Sequence, residues 1–230
     1  MQQLLHSMGI LYLVSTPIGN LADITLRALE VLKTVDVIFC EDTRHTGLLL
    51  KHHGITSRML QFHEHNEALQ LPKVVELLQM GKNIALVSDA GTPTISDPGF
   101  KLVRACAALE IPIIAVPGAS ALLTALTVSG LPTDKFLFVG YLPKKPGKCK
   151  KLLQDLSSII RIIKLTVIFY EAPHRLVVTL QTMRDAFGNK PLVICRELTK
   201  LHEEVLRTDF DQAIKHFQET EPRGEFTIVI

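Results

Sequence analysis

The sequence predicts an α/β protein of two domains, the first built on a parallel five-stranded sheet and the second on a mixed sheet. Three observations carry that expectation. Short apolar stretches alternate with polar loops and amphipathic segments through the first half, the rhythm of strand, crossover and helix that makes a parallel sheet. In the second half that strict alternation stops and strands follow strands. The 230 residues are 47% hydrophobic and 21% charged, enough apolar surface for a real core and too much for a disordered chain.

In the first half, strands are expected at 10–15, 35–40, 59–62, 84–88 and 113–116, each too short and too apolar to be a surface helix. Between them, 24–34, 46–53, 67–80 and 100–109 carry apolar residues at three- and four-residue spacing, with Gly54 and Gly81 where helices stop. The second half reads as a helix at 120–129, a strand at 136–140, a Pro/Gly/Lys linker at 142–151 overlapping a helix at 149–160, and a strand at 165–170. A helix at 175–187 closed by Gly188, a strand at 192–197, a short strand near Val205, a helix at 210–217 and a last strand at 225–230 complete it. The boundary is placed at Gly118. The N-terminal domain, 8–118, would carry cofactor and substrate loops, and the C-terminal domain, 119–230, would complete the cofactor site, with the cleft between the two.

Several function classes fall away. Lys plus Arg exceed Asp plus Glu by 25 − 23 = +2, so no global field recruits nucleic acid and any such partner must be met locally. Cys40, Cys106, Cys149 and Cys195 are too scattered for zinc pairs or a disulfide framework, and read as reduced thiols. No Lys or Arg precedes Arg27 and no small-residue cleavage site follows the first apolar run, so no signal peptide is expected. The uncharged stretch 111–133 is long enough to cross a bilayer, but Pro112, Pro117, Gly118, Gly130 and Pro132 break it into strand, turn and core helix. A cytoplasmic protein with no membrane partner is the expectation. A three-glycine dinucleotide turn, a GKS or GKT phosphate loop and a GxSxG nucleophile elbow are all absent.

The informative residues follow the strands: Ser15 to Asn20, Glu41 to His45, His63 to Asn66, Ser88 to Pro93 and Pro117 to Ser120. Turns are always rich in Gly, Pro, Asp and Ser, so one such loop means little. Five together are different, because the carboxyl ends of a parallel sheet form one rim where helix N-termini and free amides receive ligands. His63 and His65 would face the same way on a strand end, yet no third-ligand spacing follows them, and no metal is expected.

These motifs carry a resemblance. TPIGNLADIT, EDTRHT, SDAGTPTISDPG, FYEAPHRL and RELTK, spread from about Leu11 to Ile230, resemble the tetrapyrrole methylase superfamily and, within it, a group of small-subunit ribosomal RNA methyltransferases. The resemblance implies a homodimer of two-domain subunits, a class III methyltransferase fold and S-adenosylmethionine held without a glycine-rich turn. It also implies methylation of the ribose 2′-oxygen of a cytidine in 16S rRNA at the decoding centre. Carried over by position, Pro17 and Ile18 match the first cofactor loop, and Ser88, Asp89, Ala90 and Ile95 the loop around the amino-acid end and ribose. Ala119, Ser120 and Ala121 match the turn opening the next helix, and Tyr170 and Leu198 match second-domain strand ends on the adenine side. Many relatives continue into a small C-terminal helical extension, whereas this sequence stops at Ile230.

Methyl transfer to a hydroxyl requires positioning and proton removal. Asp42, Arg44 and His45 share one rim loop, and Glu171, His174 and Arg175 form a similar group in the second domain; either could supply the base. The expectation taken forward is Asp42 or His45 as proton acceptor, with Arg44 and Arg175 on RNA phosphates. The alternative is that acid and Arg only order the loop. Lys144, Lys145, Lys148, Lys150 and Lys151 on the linker, with His174 and Arg175, are candidates for the RNA side, and so are His63, His65 and Asn66. With no Trp and only three Tyr, recognition of an assembled small ribosomal subunit by shape is expected over reading a free strand by stacking. Three rivals stand beside this reading: a corrin or porphyrin C-methylase, a catalytically silent RNA-binding assembly factor and a generic nucleotide-binding protein.

Overall fold

The structure is a computed structural model that describes residues 8–230. The expectation of no N-terminal leader concerns a stretch whose first seven residues lie outside the described residues. The described residues fall into two compact units, 8–120 and 121–230.

Unit 1 alternates as the pattern requires: β1 Leu11–Val14, α1 Leu26–Thr34, β2 Val37–Cys40, α2 Thr43–His52, β3 Met59–Gln61, α3 Glu67–Gln79, β4 Ile84–Leu86, α4 Phe100–Ala108 and β5 Ile113–Val116. All five strands are parallel, in the order β3-β2-β4-β1-β5. Both faces of the sheet are covered. Leu11, Phe39, Ile84 and Leu86 pack with Val74 and Leu78 of α3 and Leu102 and Cys106 of α4. Val14, Ile38, Cys40 and Ala85 pack with Ala28 and Leu32 of α1 and Leu50 of α2. This double burial explains why the strands read as unbroken apolar runs with no polar alternation.

Capping sets where the helices start. The Thr25 hydroxyl accepts the Ala28 amide at 3.1 Å at the head of α1. The Asp42 carboxylate accepts the Arg44 amide at 2.8 Å, so α2 begins at Thr43, three residues earlier than periodicity alone indicates.

Unit 2 holds α5 Ala121–Ser129, β6 Phe136–Tyr141, α6 Pro146–Ile162, β7 Thr166–Glu171, α7 Leu176–Phe187, β8 Pro191–Arg196, β9 Glu204–Asp209, α8 Phe210–Glu219 and β10 Phe226–Val229. Its sheet, β6-β7-β10-β8-β9, is mixed: β6 and β7 are parallel and every other pair is antiparallel. Val167, Phe169, Phe226 and Ile228 turn one face onto Leu153 of α6, Leu180 of α7 and Phe210 of α8, while α5 packs against β7, β9 and β10. The uncharged stretch 111–133 is β5, a turn and α5, and among the described residues no helix is long and apolar enough to cross a membrane. All four cysteines are buried and unpaired.

The linker is the main correction. The lysine-rich segment 142–151 does not join the units; it lies inside unit 2, and α6 begins within it at Pro146, whose fixed φ suits a first helical position. Lys148, Lys150 and Lys151 therefore stand on an ordered helix, and Gly147 is a helical residue with no atom within 4 Å of an added Cβ. Gly147→Ala is expected to raise stability by about 0.4–1 kcal/mol in urea unfolding, because alanine loses less backbone entropy on folding into helix. A flexible linker there would leave the midpoint unmoved.

Candidate active site

Because every strand of unit 1 runs the same way, its five following loops emerge on one rim. Hydrogen bonds lace four of these loops together. Thr16 and Gly91 form a two-bond bridge, Thr16 N to Gly91 O at 2.9 Å and Gly91 N to Thr16 O at 3.1 Å. The Thr16 hydroxyl donates to the Ser88 carbonyl at 3.2 Å, and the Ser15 and Thr92 hydroxyls lie 2.9 Å apart. Gly118 lies so close to the first loop that a Cβ there would sit 2.9 Å from Ser15 Cβ. The second loop joins through the fourth: the Asp42 amide donates to Asp89 Oδ1 at 3.1 Å, and the Asp89 amide to Glu41 Oε1 at 3.4 Å.

Of the predicted cofactor residues, Pro17, Ile18 and Ser88 are buried under this rim, Asp89 is half-buried, and Ala90 and Ile95 are exposed beside it. Ala119, whose carbonyl lies 3.4 Å from the Thr92 hydroxyl, and Ser120 close the same rim. Thr94 and Ser96 adopt φ of 74° and 64° in the fourth loop. Non-glycine residues pay for that conformation, and such strain concentrates at ligand sites. The loop ends at Gly99, φ 118°, where a Cβ would meet Leu86 Cδ2 at 2.6 Å. Glu67, buried at the head of α3, anchors it by accepting the Gly99 amide at 3.2 Å and pairing with Lys101 at 3.1 Å.

The rim gathers three carboxyls, Glu41, Asp89 and Asp97. Burial pushes Glu41 up to about 7, with the charges of Asp97 and Asp89 adding to it. Burial also raises Asp97 to about 6, against a hydrogen bond from Ser88 that pulls it down. Sequence reasoning missed Asp97 and passed over Glu41 as a site residue. Both were in view, inside SDAGTPTISDPG and EDTRHT, but nothing in one dimension shows that two loops bring their acids together.

Asp42 is differently placed from its expected role. It caps α2 and grips Arg44 with a 2.6 Å ion pair, and the Arg44 guanidinium holds its carboxyl far below the usual range. A carboxylate held that low is a poor proton acceptor. His45 is exposed on the first turn of α2. The Asn66 side chain is spent locally, accepting the His63 amide at 2.8 Å and donating to the Gln61 carbonyl at 3.3 Å. His63 and His65 stack edge-on with centroids 6.1 Å apart, and the buried His63 Nδ1 has no hydrogen-bond partner. Among the described residues, no three His, Cys, Asp or Glu side chains are grouped to hold a metal ion.

In unit 2, the Tyr170 hydroxyl accepts the Leu122 amide at 3.1 Å, satisfying one of the orphan donors of the first turn of α5, which Ala121 begins. Leu198 is buried in the loop after β8, fixed between Glu197 and Thr199 at φ of 50° and 67°. Glu171 cannot serve as a base. It is 2% exposed and accepts from the Ala172 amide at 2.8 Å and the Thr179 hydroxyl at 2.6 Å, while Arg175 Nε approaches at 3.6 Å. Arg175 also donates to the Leu142 carbonyl at 3.0 Å, so this pair braces the end of β7 to α7 and to the segment before α6. His174, Lys144 and Lys145 are exposed.

The raised carboxyls give a pH signature with a definite sign. A carboxyl whose folded pKa lies above its unfolded value adds stability below the unfolded value, about 4.3 for Glu, and loses it as pH rises through the folded value. Stability is thus expected to fall between about pH 4.5 and pH 7 as Glu41 is forced to ionise. Melting curves for Glu41→Gln should match the parent at pH 5 and lie a few degrees above it at pH 8; equal curves at both would remove the buried-acid reading.

Comparisons with known proteins identify the family. Residues 10–214 match the model of the family described as Tetrapyrrole (Corrin/Porphyrin) Methylases. A protein of Synechocystis sp. named ribosomal RNA small subunit methyltransferase I is 52% identical over 224 residues, covering 97% of this chain and 79% of its own. The protein of that name from Thermotoga maritima is 45% identical over 223 residues, covering 97% and 98%. Among solved structures, the uroporphyrin-III-C-methyltransferase of Thermus thermophilus superposes with a TM-score of 0.65 at 20% identity, covering 96% of this chain and 94% of its own. A cobalt precorrin-4 methyltransferase reaches a TM-score of 0.67 at 16% identity over 96% and 94%. At such low identity these two speak to the fold alone. The sequence relatives say more, and this chain belongs to the tetrapyrrole methylase family and, within it, to the ribosomal RNA small subunit methyltransferase I group.

Proposed function

We propose that this protein transfers a methyl group from S-adenosylmethionine to the ribose 2′-oxygen of a cytidine in small-subunit ribosomal RNA. The observation that carries the reading is the identity of about half its residues, along nearly its whole length, with proteins named for that substrate. In the solved-structure neighbours named as porphyrin and corrin methylases, by contrast, identity falls to 20% or less. The work is done in the cytoplasm, by a homodimer, on the assembled small subunit at the decoding centre.

The rim suits the cofactor chemically. S-adenosylmethionine supplies an activated methyl group on a positively charged sulfur, and its amino-acid end carries an ammonium. Three carboxyls, two of them raised by burial to about 7 and about 6, suit a cationic ligand. Asp89, whose amide donates to Glu41 Oε1, receives the ammonium, and the buried Pro17 and Ile18 give an apolar wall.

Proton removal then falls to Glu41. A positive charge beside the cluster drives Glu41 to its ionised form, so cofactor binding itself prepares a carboxylate at the rim to take the 2′-proton. Arg44, 89% exposed at its side chain, remains available for an RNA phosphate while its partner Asp42 keeps α2 capped.

The direct test is transfer of labelled methyl to small subunits from cells lacking the modification, with the product mapped as an alkali-resistant cytidine linkage. Failure to label those subunits, or labelling of a porphyrin acceptor instead, would overturn the reading. For the proton acceptor, Glu41→Gln is expected to lower kcat about 100-fold or more, whereas Asp42→Asn, which preserves the cap, should stay within a few fold. The reverse order would return the role to Asp42. Calorimetry near pH 6.5 in buffers of different ionisation enthalpy should show proton release on binding S-adenosylmethionine, reduced in Glu41→Gln.

A further inference from the structure

Unit 2 carries a groove that brings Lys144, Lys150, His174 and Arg175, expected from the sequence on the RNA side, together with Arg161. It runs between α6 and α7 as two adjoining cavities. The larger, about 640 Å³, is lined by Lys144, Lys150, His174 and Arg175 with Pro143 and Val178 as apolar walls. The smaller, about 350 Å³, is lined by Lys150, Gln154, Ser158, Arg161 and Thr182, with one acid, Asp185. Lys150 and Thr182 line both cavities, which therefore adjoin.

The charges in it are unspent. Elsewhere in unit 2 several cations are paired: Arg184 with Asp211 at 2.9 Å, Arg223 with Glu221 at 2.7 Å, Lys200 with both Glu197 and Glu225. Among the described residues, Lys144, Lys150 and Arg161 have no ion pair. Arg175 and the buried Glu171 beneath it form the floor and keep it rigid. Hydroxyl and amide groups of Ser158, Thr182 and Gln154 lie between the cations, and Thr182 and Ser158 already donate to helix carbonyls at 2.8 Å and 3.1 Å, leaving their oxygens as acceptors.

We infer that the α6–α7 groove is a track for the phosphodiester backbone of RNA. A row of unpaired cations along an ordered helix, with apolar walls at one end and hydroxyls between, matches a chain bearing one charge per nucleotide with sugar hydroxyls between phosphates. The 17 residues of α6 span about 25 Å, room for about four nucleotides. The ordering of the lysines on α6 matters here, because fixed cations meet phosphates without the entropy a flexible lysine loop would lose on binding. The inference rests on the ribosomal RNA reading but concerns different residues.

The test uses the whole chain with Lys144, Lys150 and Arg161 changed to Gln, beside a control with Lys33, Lys190 and Lys215 changed to Gln. Each control residue is exposed and lines neither cavity, and the net charge lost is the same. Binding of a single-stranded ribosomal RNA fragment is followed against salt. Each phosphate contact contributes about 0.7 to the slope of log K against log salt, so the groove triple should lose about two units of slope and about 100-fold in affinity at 0.1 M salt. The control should keep the parent's slope, and Thr182→Lys, which adds a cation to the floor, should steepen it. On small subunits the groove triple should raise KM with kcat retained at saturation, and its calorimetric affinity for S-adenosylmethionine should match the parent. An unchanged slope, an equal fall in the control, or displacement of RNA by polyglutamate at equal charge would overturn the groove. Loss of slope without any methyl transfer by the parent would leave the groove standing and overturn the functional reading instead.

Discussion

The bridge between Thr16 and Gly91 is the constraint on which the rest of unit 1's site depends. Parallel strands place five loops on one side of a sheet, but they do not make those loops a surface; left alone, each would satisfy its backbone groups with water. Two hydrogen bonds across that bridge, the Ser15–Thr92 contact and the glycine clearance at Gly118 press the first, fourth and fifth loops together. The fourth loop is then fixed at both ends, by the bridge at Gly91 and by Glu67 and Leu86 around Gly99. Its strained residues, Thr94 and Ser96, lie between those two anchors, and so does Ile95.

Once the loops are pressed together, electrostatics follows. Glu41 and Asp97 come from different loops and share poor hydration with Asp89. Burial works against ionising Glu41 and Asp97, and a positive charge placed at the rim favours their ionised forms. The same carboxyls thereby oppose stability at neutral pH and favour the ligand, a trade seen where binding sites are built from buried acids. Asp42, one residue from Glu41, escapes this because it faces Arg44 and the amides of α2. Two adjacent acids in one hexapeptide thus acquire opposite proton affinities from their surroundings.

Unit 2 separates its tasks in a comparable way. Glu171, Arg175 and Thr179 are spent on bracing the end of β7, and Tyr170 on the first turn of α5. Lys144, Lys150 and Arg161, on and beside α6, have no ion pair among the described residues. A polar side chain that already has its partners supports a site; one without them meets a ligand.

The sequence by itself determined the fold class, nearly every element, the five rim loops and, through their motifs, the family. It could do so because strand and helix periodicity are local properties, and because turn residues mark where strands end. Element starts set by a cap or a proline, as at Asp42 and Pro146, were misplaced by three residues, and the lysines of α6 were mistaken for a linker. Only the tertiary structure decided that Glu41, Asp89 and Asp97 share one acid cluster, that Asp42 and Glu171 are committed to structure, and that two helices leave a cation-lined groove between them. Those facts depend on distances between residues far apart in the chain, and on burial and pairing, and neither periodicity nor motif spacing carries that information.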